Sequence, residues 1–373
     1  MRDHDTDALV NNRCSHLSMM RHIWIVDNPT DRFYARRVTS QQDERPVIAV
    51  LCADLQDRPP HLEAVSRRAE LIYTDAAGLA DAVEGAQGLF LWDFFSTAVK
   101  DVWDRTGDLT WIHVAAAGVD KLLFDELVAS DVVVTNARGV FDRPIAEFVL
   151  ASILAKAKRL HECFELQQQS TWRHRETENI NGQRVLVLGT GAIGRETARL
   201  LSAVGMQVSG AGRTARSGDP DFGDVVASSD LVQHVADVDH VVVVAPLTEE
   251  TRGLVDAEVL AAMKPTAHLI NVGRGPIIDE ESLVDALRNG DIAAASLDVF
   301  ATEPLPAEHP LWSMPGVAVS PHLAGDARGW LDTLSQQFVE NAMRWLDGEP
   351  MVNVVDKTVG FVTTETVAHQ ETT

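Results

Sequence analysis

Apolar positions along this chain fall into two rhythms, and the order in which they alternate predicts the architecture. Short β-branched or aromatic runs of strand length stand at 47–52 (VIAVLC), 71–74 (LIYT), 88–92 (GLFLW), 111–118 (WIHVAAAG) and 132–139 (VVVTNARG). Stretches of helical spacing separate them. A longer helical pattern covers 144–168, where Ile145, Phe148, Val149, Ile153 and Leu160 keep roughly helical spacing and Pro144 suits a first turn. Strand-length runs then resume at 184–189 (RVLVLG), 206–210 (MQVSG), 240–245 (HVVVVA), 268–272 (HLINV), 294–299 (AASLDV) and 317–320 (VAVS). Such alternation puts helices on both faces of a parallel sheet. The pattern predicts an α/β protein of two consecutive doubly wound parallel-sheet units joined by a long helix. Residues 1–45 show no sustained period and read as a polar N-terminal extension, while 356–373 read as a frayed C-terminal tail.

Composition acts mainly by exclusion. A chain of 373 residues has room for two cores. Hydrophobic residues at 45% and charged residues at 23% give the balance of a water-soluble globular protein. No apolar run approaches the ~20 residues that span a bilayer. The N-terminal stretch lacks the apolar region of a secretory signal, so the expected location is cytoplasmic. A net charge of −23 opposes binding to nucleic acid or to an anionic membrane; it reflects solubility or a salt-adapted host. Cys14, Cys52 and Cys163, odd in number and far apart, fit neither a disulfide framework nor a zinc cluster. No metal is expected.

The first chemical signal is a glycine loop. Gly189, Gly191 and Gly194 form GxGxxG with Ala192 and Ile193 between the last two. The loop follows an apolar strand and opens a helix carrying Ile193, Thr197, Leu201 and Val204 on one side, ended by Gly205. Such glycines allow a tight turn and close approach to a pyrophosphate, which the helix's first amides hold. The next strand ends VSGAGRTARSG, with Gly212 where an acidic residue would bind a free ribose 2′-hydroxyl, then Arg213, Thr214 and Arg216. A carboxylate there would repel a 2′-phosphate, whereas guanidinium groups bind one. The expected cofactor is NADP(H) in preference to NAD(H); the bland alternative leaves these arginines in solvent.

Three later segments place further chemistry at strand ends. Arg274 lies in a glycine-flanked loop before a helix whose first turn holds Asp279, Glu280 and Glu281, acids that suit a helix N-terminus. Asp298 and Glu303 stand at and after the next strand end, and His322 at the one after that. Ligands of doubly wound sheets lie beyond the carboxyl ends of the strands, so Arg274, Glu303 and His322 should converge.

The segments GTGAIG, APLTEETRGLV, NVGRGPIIDE, LDVFATEPLP and SPHLAG together resemble the D-isomer-specific 2-hydroxyacid dehydrogenases, over about residues 47–355. The resemblance implies a flavodoxin-like substrate domain split into 46–143 and 321–355, a Rossmann-type cofactor domain at 144–320, and a cleft between them. It implies that Arg274 binds the substrate carboxylate and polarises the keto oxygen, that His322 exchanges a proton with that oxygen, and that Glu303 pairs with the imidazole. Asp298 would hold the nicotinamide carboxamide. Pro246, Thr251, Val272 and Gly273 would line the cofactor cleft, and the loop HVAAAGVD would grip the carboxylate through Ala116, Ala117 and Gly118. The 144–172 region would be the arm of a homodimer. The chemistry agrees: hydride delivery to a 2-keto acid puts charge on oxygen that a fixed guanidinium stabilises, and a positioned imidazole contributes ~10²–10⁴-fold. A neighbouring carboxylate favours imidazolium, so reduction should be favoured at lower pH.

The loop WDFF, with Trp92, Asp93, Phe94 and Phe95, either shapes the substrate pocket or is core; Trp92 is the residue expected at the substrate. WDF beside an arginine-bearing cofactor strand resembles the glyoxylate and hydroxypyruvate reductase branch, whose substrates are small 2-keto acids. Two rivals stand: a non-catalytic nucleotide-sensing interaction protein on the same scaffold, and a phosphite or formate dehydrogenase. Formate enzymes carry glutamine where Glu303 stands, which counts against that option.

Overall fold

The computed structural model describes residues 45–363. The extension expected at 1–45, apart from its last residue, and the tail beyond 363 lie outside that range. Five strands form the first sheet: β1 (Val47–Leu51), β2 (Glu70–Thr74), β3 (Gly88–Leu91), β4 (Trp111–Val114) and β5 (Val133–Asn136). All pairs are parallel and the order is β2-β1-β3-β4-β5, which is the flavodoxin-like order. The second sheet has eight strands: β6 (Arg184–Leu188), β7 (Gln207–Gly212), β8 (Arg216–Asp219), β9 (Gly223–Ala227), β10 (His240–Val243), β11 (His268–Asn271), β12 (Ala294–Leu297) and β13 (Val317–Val319). Its order, β13-β12-β11-β10-β6-β7-β9-β8, reverses direction between β6 and β10 as a Rossmann sheet does, and only the edge strand β8 is antiparallel. The central strands are fully buried, so they read as continuous apolar runs.

The hairpin of β8 and β9 has no apolar alternation in the sequence and was not anticipated; polar contacts hold it, as described below. The single helix expected over 144–168 is two. The first, Asp142–Ala157, buries Ile145, Val149 and Ile153; the second is Leu160–Gln168. Between them Arg159 adopts φ 52°. Lys156 and Lys158 turn to Glu178, and Arg159 to Glu162, so the apolar stripe has no continuation across the break.

The chain returns to the first sheet after β13. Helix Trp330–Asp347 stacks Phe338 flat against Phe90 (3.8 Å between centroids) and in parallel with Trp111 (5.6 Å). Beyond it, the Val355 amide donates to the Val134 carbonyl (2.8 Å). The described part of the expected frayed tail is tied down. Lys357 Nζ donates to the carbonyls of Leu127, Ser130 and Val132, and Val362 is buried in the first sheet's core. Among the described residues no helix is long and apolar enough to cross a membrane.

Candidate active site

β11 delivers Arg274, and its last residue shapes the loop. The Asn271 side chain accepts from the Gly273 amide and donates to the Arg274 carbonyl, both at 3.1 Å. A Cβ on Gly275 would overlap the Phe300 backbone, so glycine there lets this loop lie directly against the one that follows β12. A Cβ on Gly273 would stand 2.9 Å from the Ala245 carbonyl oxygen, which likewise holds Gly273 and the buried Val272 close beneath the loop after β10.

β12 delivers Asp298 and Glu303, and β13 delivers His322. The His322 ring Nδ1 lies 2.8 Å from Glu303 Oε2, and Glu303 Oε1 accepts from the Phe300 amide at 3.0 Å. Burial alone would raise the Glu303 pKa, but the bond to His322, the Phe300 amide and the charge of Lys121 together hold it below its ordinary value. With Nδ1 engaged, Nε2 is the ring nitrogen left for a substrate. His322 has φ 54°, a left-handed conformation that a side chain adopts at a cost. Asp298, 2% exposed, imposes it. Its carbonyl accepts the His322 amide (2.8 Å), and its carboxylate accepts Ser320 Oγ (2.6 Å) and the amides of Leu323 (3.0 Å) and Ala324 (2.9 Å). Sequence reasoning expected Asp298 at the nicotinamide and missed this clamp.

The first sheet supplies the facing wall. Arg274 Nε donates to Asp120 Oδ1 (3.1 Å) and Nη1 to the Gly273 carbonyl (2.8 Å). Its Nη2 lies where a Cβ on Gly118 would be. The carbonyls of Ala116 and Ala117 are taken by the Ala137 amide and the Asn136 side chain. The amides of Ala116, Ala117 and Gly118 donate to no protein acceptor among the described residues. The free edge of the Arg274 guanidinium therefore lies against Gly118, the last residue of a loop stretch whose amides have no protein acceptor among the described residues.

Trp92 requires a correction. It stands just past the end of β3, is 6% exposed and packs edge-on against Phe90 in the core. The aromatic that reaches the site is Phe95, 48% exposed, with its ring 5.7 Å from that of His322 and Lys121 Nζ 4.7 Å above its own face. Phe94 instead packs against Trp330. Asp120 and Lys121 carried no signal in the sequence beyond their place in the loop.

The glycine loop lies between β6 and the helix Ala192–Ala203. Gly189 has φ 113°, and a Cβ there would come within 2.6 Å of the Ala245 amide. A Cβ on Gly194 would overlap the Gly189 carbonyl, whereas one on Gly191 would meet nothing within 4 Å. No side chain caps the helix, so the amides at its start, with Ala192 and Ile193 in the first turn, face that open space. This cradle fits a dinucleotide pyrophosphate. In the loop after β10, Thr251 Oγ1 donates to the Pro246 carbonyl (2.7 Å) and accepts from the Thr248 amide (2.8 Å), fixing the loop's shape.

Of the two arginines after β7, Arg216 is already paired within the protein. Arg216 Nε and Nη2 both donate to Asp219 Oδ2 (2.9 and 2.8 Å), and Arg195 binds the same carboxylate in a fork at 3.0 Å. Burial alone would raise the Asp219 pKa, but those bonds and the Asp221 amide hold it far below the carboxylate range. Arg195 thus fastens the β8–β9 hairpin to the cofactor helix through Asp219, which Arg216 also braces, and Arg213, Thr214, Ala215 and Arg216 are all exposed after β7.

Comparison with known proteins places this geometry. Residues 150–324 match the model of the D-isomer specific 2-hydroxyacid dehydrogenase NAD-binding domain. A glyoxylate reductase of Aeropyrum pernix is 34% identical over 269 residues, 69% of this chain and 80% of that protein. The chain belongs to the D-isomer specific 2-hydroxyacid dehydrogenase family. Solved members agree in three dimensions. One from Xanthobacter autotrophicus, in complex with NADPH and MES, is 34% identical with a TM-score of 0.69 over 84% of this chain and 99% of its own. An NADPH-dependent glyoxylate/hydroxypyruvate reductase from Sinorhizobium meliloti, in complex with NADP and malonate, is 28% identical with a TM-score of 0.71 over 86% of this chain and 99% of its own. Membership of this dehydrogenase family makes the protein an oxidoreductase with an NAD-binding domain and two parallel-sheet α/β units.

Proposed function

We propose that the protein reduces a small 2-keto acid, glyoxylate, hydroxypyruvate or a close analogue, to the D-2-hydroxy acid, with NADPH as the preferred hydride donor. The observation that carries this reading is the His322–Glu303 pair at 2.8 Å, set on strand ends beside the loop that brings Arg274 against Gly118. The names of the relatives agree with it.

Bound in the cleft, the cofactor supplies the hydride. Arg274 keeps Nη2 for the substrate, since Nε and Nη1 are held by Asp120 and Gly273. The carboxylate docks between that edge and the amides of Ala116, Ala117 and Gly118, which orients the keto group and loads its oxygen toward positive charge. His322 then gives the Nε2 proton to that oxygen as charge develops there. Glu303 stabilises the imidazolium before transfer, and afterwards fixes the tautomer that carries hydrogen on Nδ1. Glu303 acts through His322 and is a positioning residue; Asp298 is a second, through the loop it clamps. Phe95 covers the ring and favours a small substituent on the substrate.

Preference for NADPH rests on Arg213 and Thr214, exposed directly after Gly212, which stands where a ribose-binding acid would. Leu160, Phe164 and Trp172 leave large apolar surfaces exposed on the second linker helix and the segment after it, Trp172 at 99%; a second copy of the chain covers them in the reading we adopt, and the protein acts in the cytoplasm. Light scattering should then give twice the chain mass, and a monomer mass rejects the dimer. The deciding experiment is absorbance at 340 nm, with NADPH and NADH each offered glyoxylate, hydroxypyruvate, pyruvate and a phenyl-bearing 2-keto acid. Rapid NADPH loss with the smaller acids supports the reading. Tight nucleotide binding without turnover of any acid overturns it in favour of a sensing protein.

A further inference from the structure

The segment that follows Val355 makes a contact that neither the acid–base chemistry nor the glycine loop uses. It is a firmly built turn. The Asp356 amide donates to the Phe361 carbonyl (3.1 Å), the Gly360 amide returns to the Asp356 carbonyl (2.8 Å), and the Asp356 carboxylate takes the Thr358 amide (2.9 Å) and hydroxyl (2.6 Å). Lys357 pins the turn to three carbonyls of the first sheet's loops, and Arg138 Nη1 donates to the Val362 carbonyl at 3.0 Å. Gly360, at φ 79°, allows the chain to reverse. The turn therefore belongs to the first sheet's half of the protein and presents the half-buried Phe361 ring as a fixed surface. Above that ring, 5.6 Å from its centroid, stands the guanidinium of Arg213 from the end of β7 on the other half.

We propose that Phe361 is a positioning residue for Arg213, and that through it the C-terminal turn sets the preference of the site for a dinucleotide with a 2′-phosphate on its adenosine ribose. The proposal rests on the NADPH reading above and adds a residue to it. Its logic is geometric. A cation held over an aromatic face engages the π-system and leaves free the N–H donors at the edge turned away from the ring. Phosphate binds at that edge, through paired donors. Arg216 shows the opposite state, with Nε and Nη2 both consumed by Asp219. Without the ring, the Arg213 charge has two carboxylates within electrostatic reach, Glu250 and Asp356, either of which would draw the donors away from a ligand. Phe361 thus keeps Arg213 extended and unsaturated.

The test measures binding rather than turnover. Dissociation constants for NADP⁺ and NAD⁺ are taken by calorimetry on the full chain for the parent, Phe361→Leu, Phe361→Trp, Arg213→Ala and the Phe361→Leu/Arg213→Ala double variant, each with its thermal midpoint. A cation–π contact at an exposed site predicts that Phe361→Leu weakens NADP⁺ about two- to fivefold. NAD⁺ affinity stays unchanged, Phe361→Trp restores NADP⁺ affinity, and Phe361→Leu adds nothing once Arg213 is alanine. Equal weakening of both dinucleotides, or an additive loss in the double variant, overturns the proposal and leaves Phe361 a packing residue. If Arg213→Ala weakens NADP⁺ selectively while Phe361→Leu does not, the proposal falls and the NADPH reading stands. If Arg213→Ala spares NADP⁺, the NADPH assignment itself falls, and the proposal with it.

Discussion

Gly118→Ala tests how Arg274 is placed, because one methyl group enters the point where the two halves of the site meet. The new Cβ would overlap Arg274 Nη2 and stand 3.0 Å from Cζ and 2.9 Å from Asp120 Oδ1. Ordinary carbon contacts lie near 3.5–4.0 Å, so the guanidinium must move outward by roughly 1 Å or more to restore them. Gly118 does not have a positive φ, so the backbone accepts alanine and the burden falls on the arginine. On the proposed mechanism the displaced Nη2 would lose its bond to the substrate carboxylate. A hydrogen bond to a charged group is worth about 1.5–3 kcal/mol, equivalent to a fall of about ten- to a hundredfold in kcat/KM for the keto acid. The fall appears mainly in KM if the carboxylate alone is affected, and also in kcat if the keto oxygen moves away from His322. Steady-state kinetics at saturating NADPH read it, with the NADP⁺ dissociation constant and thermal midpoint as controls. Kinetics within twofold of the parent would refute the placement of Arg274, since no arrangement that uses Nη2 tolerates that methyl.

Two further predictions concern protons. Glu303→Gln keeps a hydrogen-bond partner for His322 Nδ1 but removes its charge; we expect kcat for reduction to drop by about 10²-fold and the optimum for reduction to move to lower pH, and an unaltered pH–rate profile removes Glu303 from the mechanism. The second concerns acid stability, where burial lowers the His113 pKa to about 3 and that of His240 to about 4, against an ordinary 6.5. Because the unfolded chain binds protons that the folded chain refuses, stability present above pH 6.5 is lost as pH falls through that window, at about 1.4 kcal/mol per unit for each histidine. From these two residues about 4 kcal/mol should be gone at pH 5, and equal guanidinium midpoints at pH 7.5 and pH 5 would contradict it.

Strand runs and the glycine loop were legible because each is written locally, whereas the roles expected of Arg274, Glu303 and His322 came from the family resemblance. A buried parallel strand needs a continuous apolar run, and a pyrophosphate turn needs glycines at fixed offsets. What escaped the sequence depends on partners far along the chain. The helix over 144–168 read as continuous because its apolar positions are compatible with one period; at the break Arg159 takes φ 52°, and the Ala157 carbonyl accepts from the Glu178 amide, which comes from a segment with no pattern of its own. The β8–β9 hairpin rests on Asp219 receiving two arginines, which no periodicity records. Trp92 and Phe95 are three residues apart in an aromatic run, and only the direction in which β3 ends decides which is core and which reaches His322. Asp298 looked like an ordinary strand-end acid. Its clamp on Ser320, Leu323 and Ala324 arises because β12 and β13 pair in parallel and bring their ends together.

The arginines of this site also show why residue type alone could not sort binding groups from structural ones. Three guanidinium groups stand at or near strand ends of the eight-stranded sheet, and they differ in what holds them. Arg216 has Nε and Nη2 on one carboxylate that Arg195 also binds, and it holds a hairpin in place. Arg274 has spent Nε and Nη1 on Asp120 and a carbonyl, which fixes its orientation and keeps one edge free. Arg213 rests on an aromatic face and keeps its donors. A guanidinium already paired side-on with a carboxylate has its charge offset for a second anion, and a loose one must be ordered by the ligand at an entropic cost of up to about 2 kcal/mol for its rotamers. The two that remain useful are those oriented by a contact that leaves donors open, and in both cases the orienting residue, Asp120 or Phe361, comes from the half of the protein built on the other sheet. On the function proposed here, anion recognition at this cleft therefore depends on both halves being in register, even though both arginines belong to one of them.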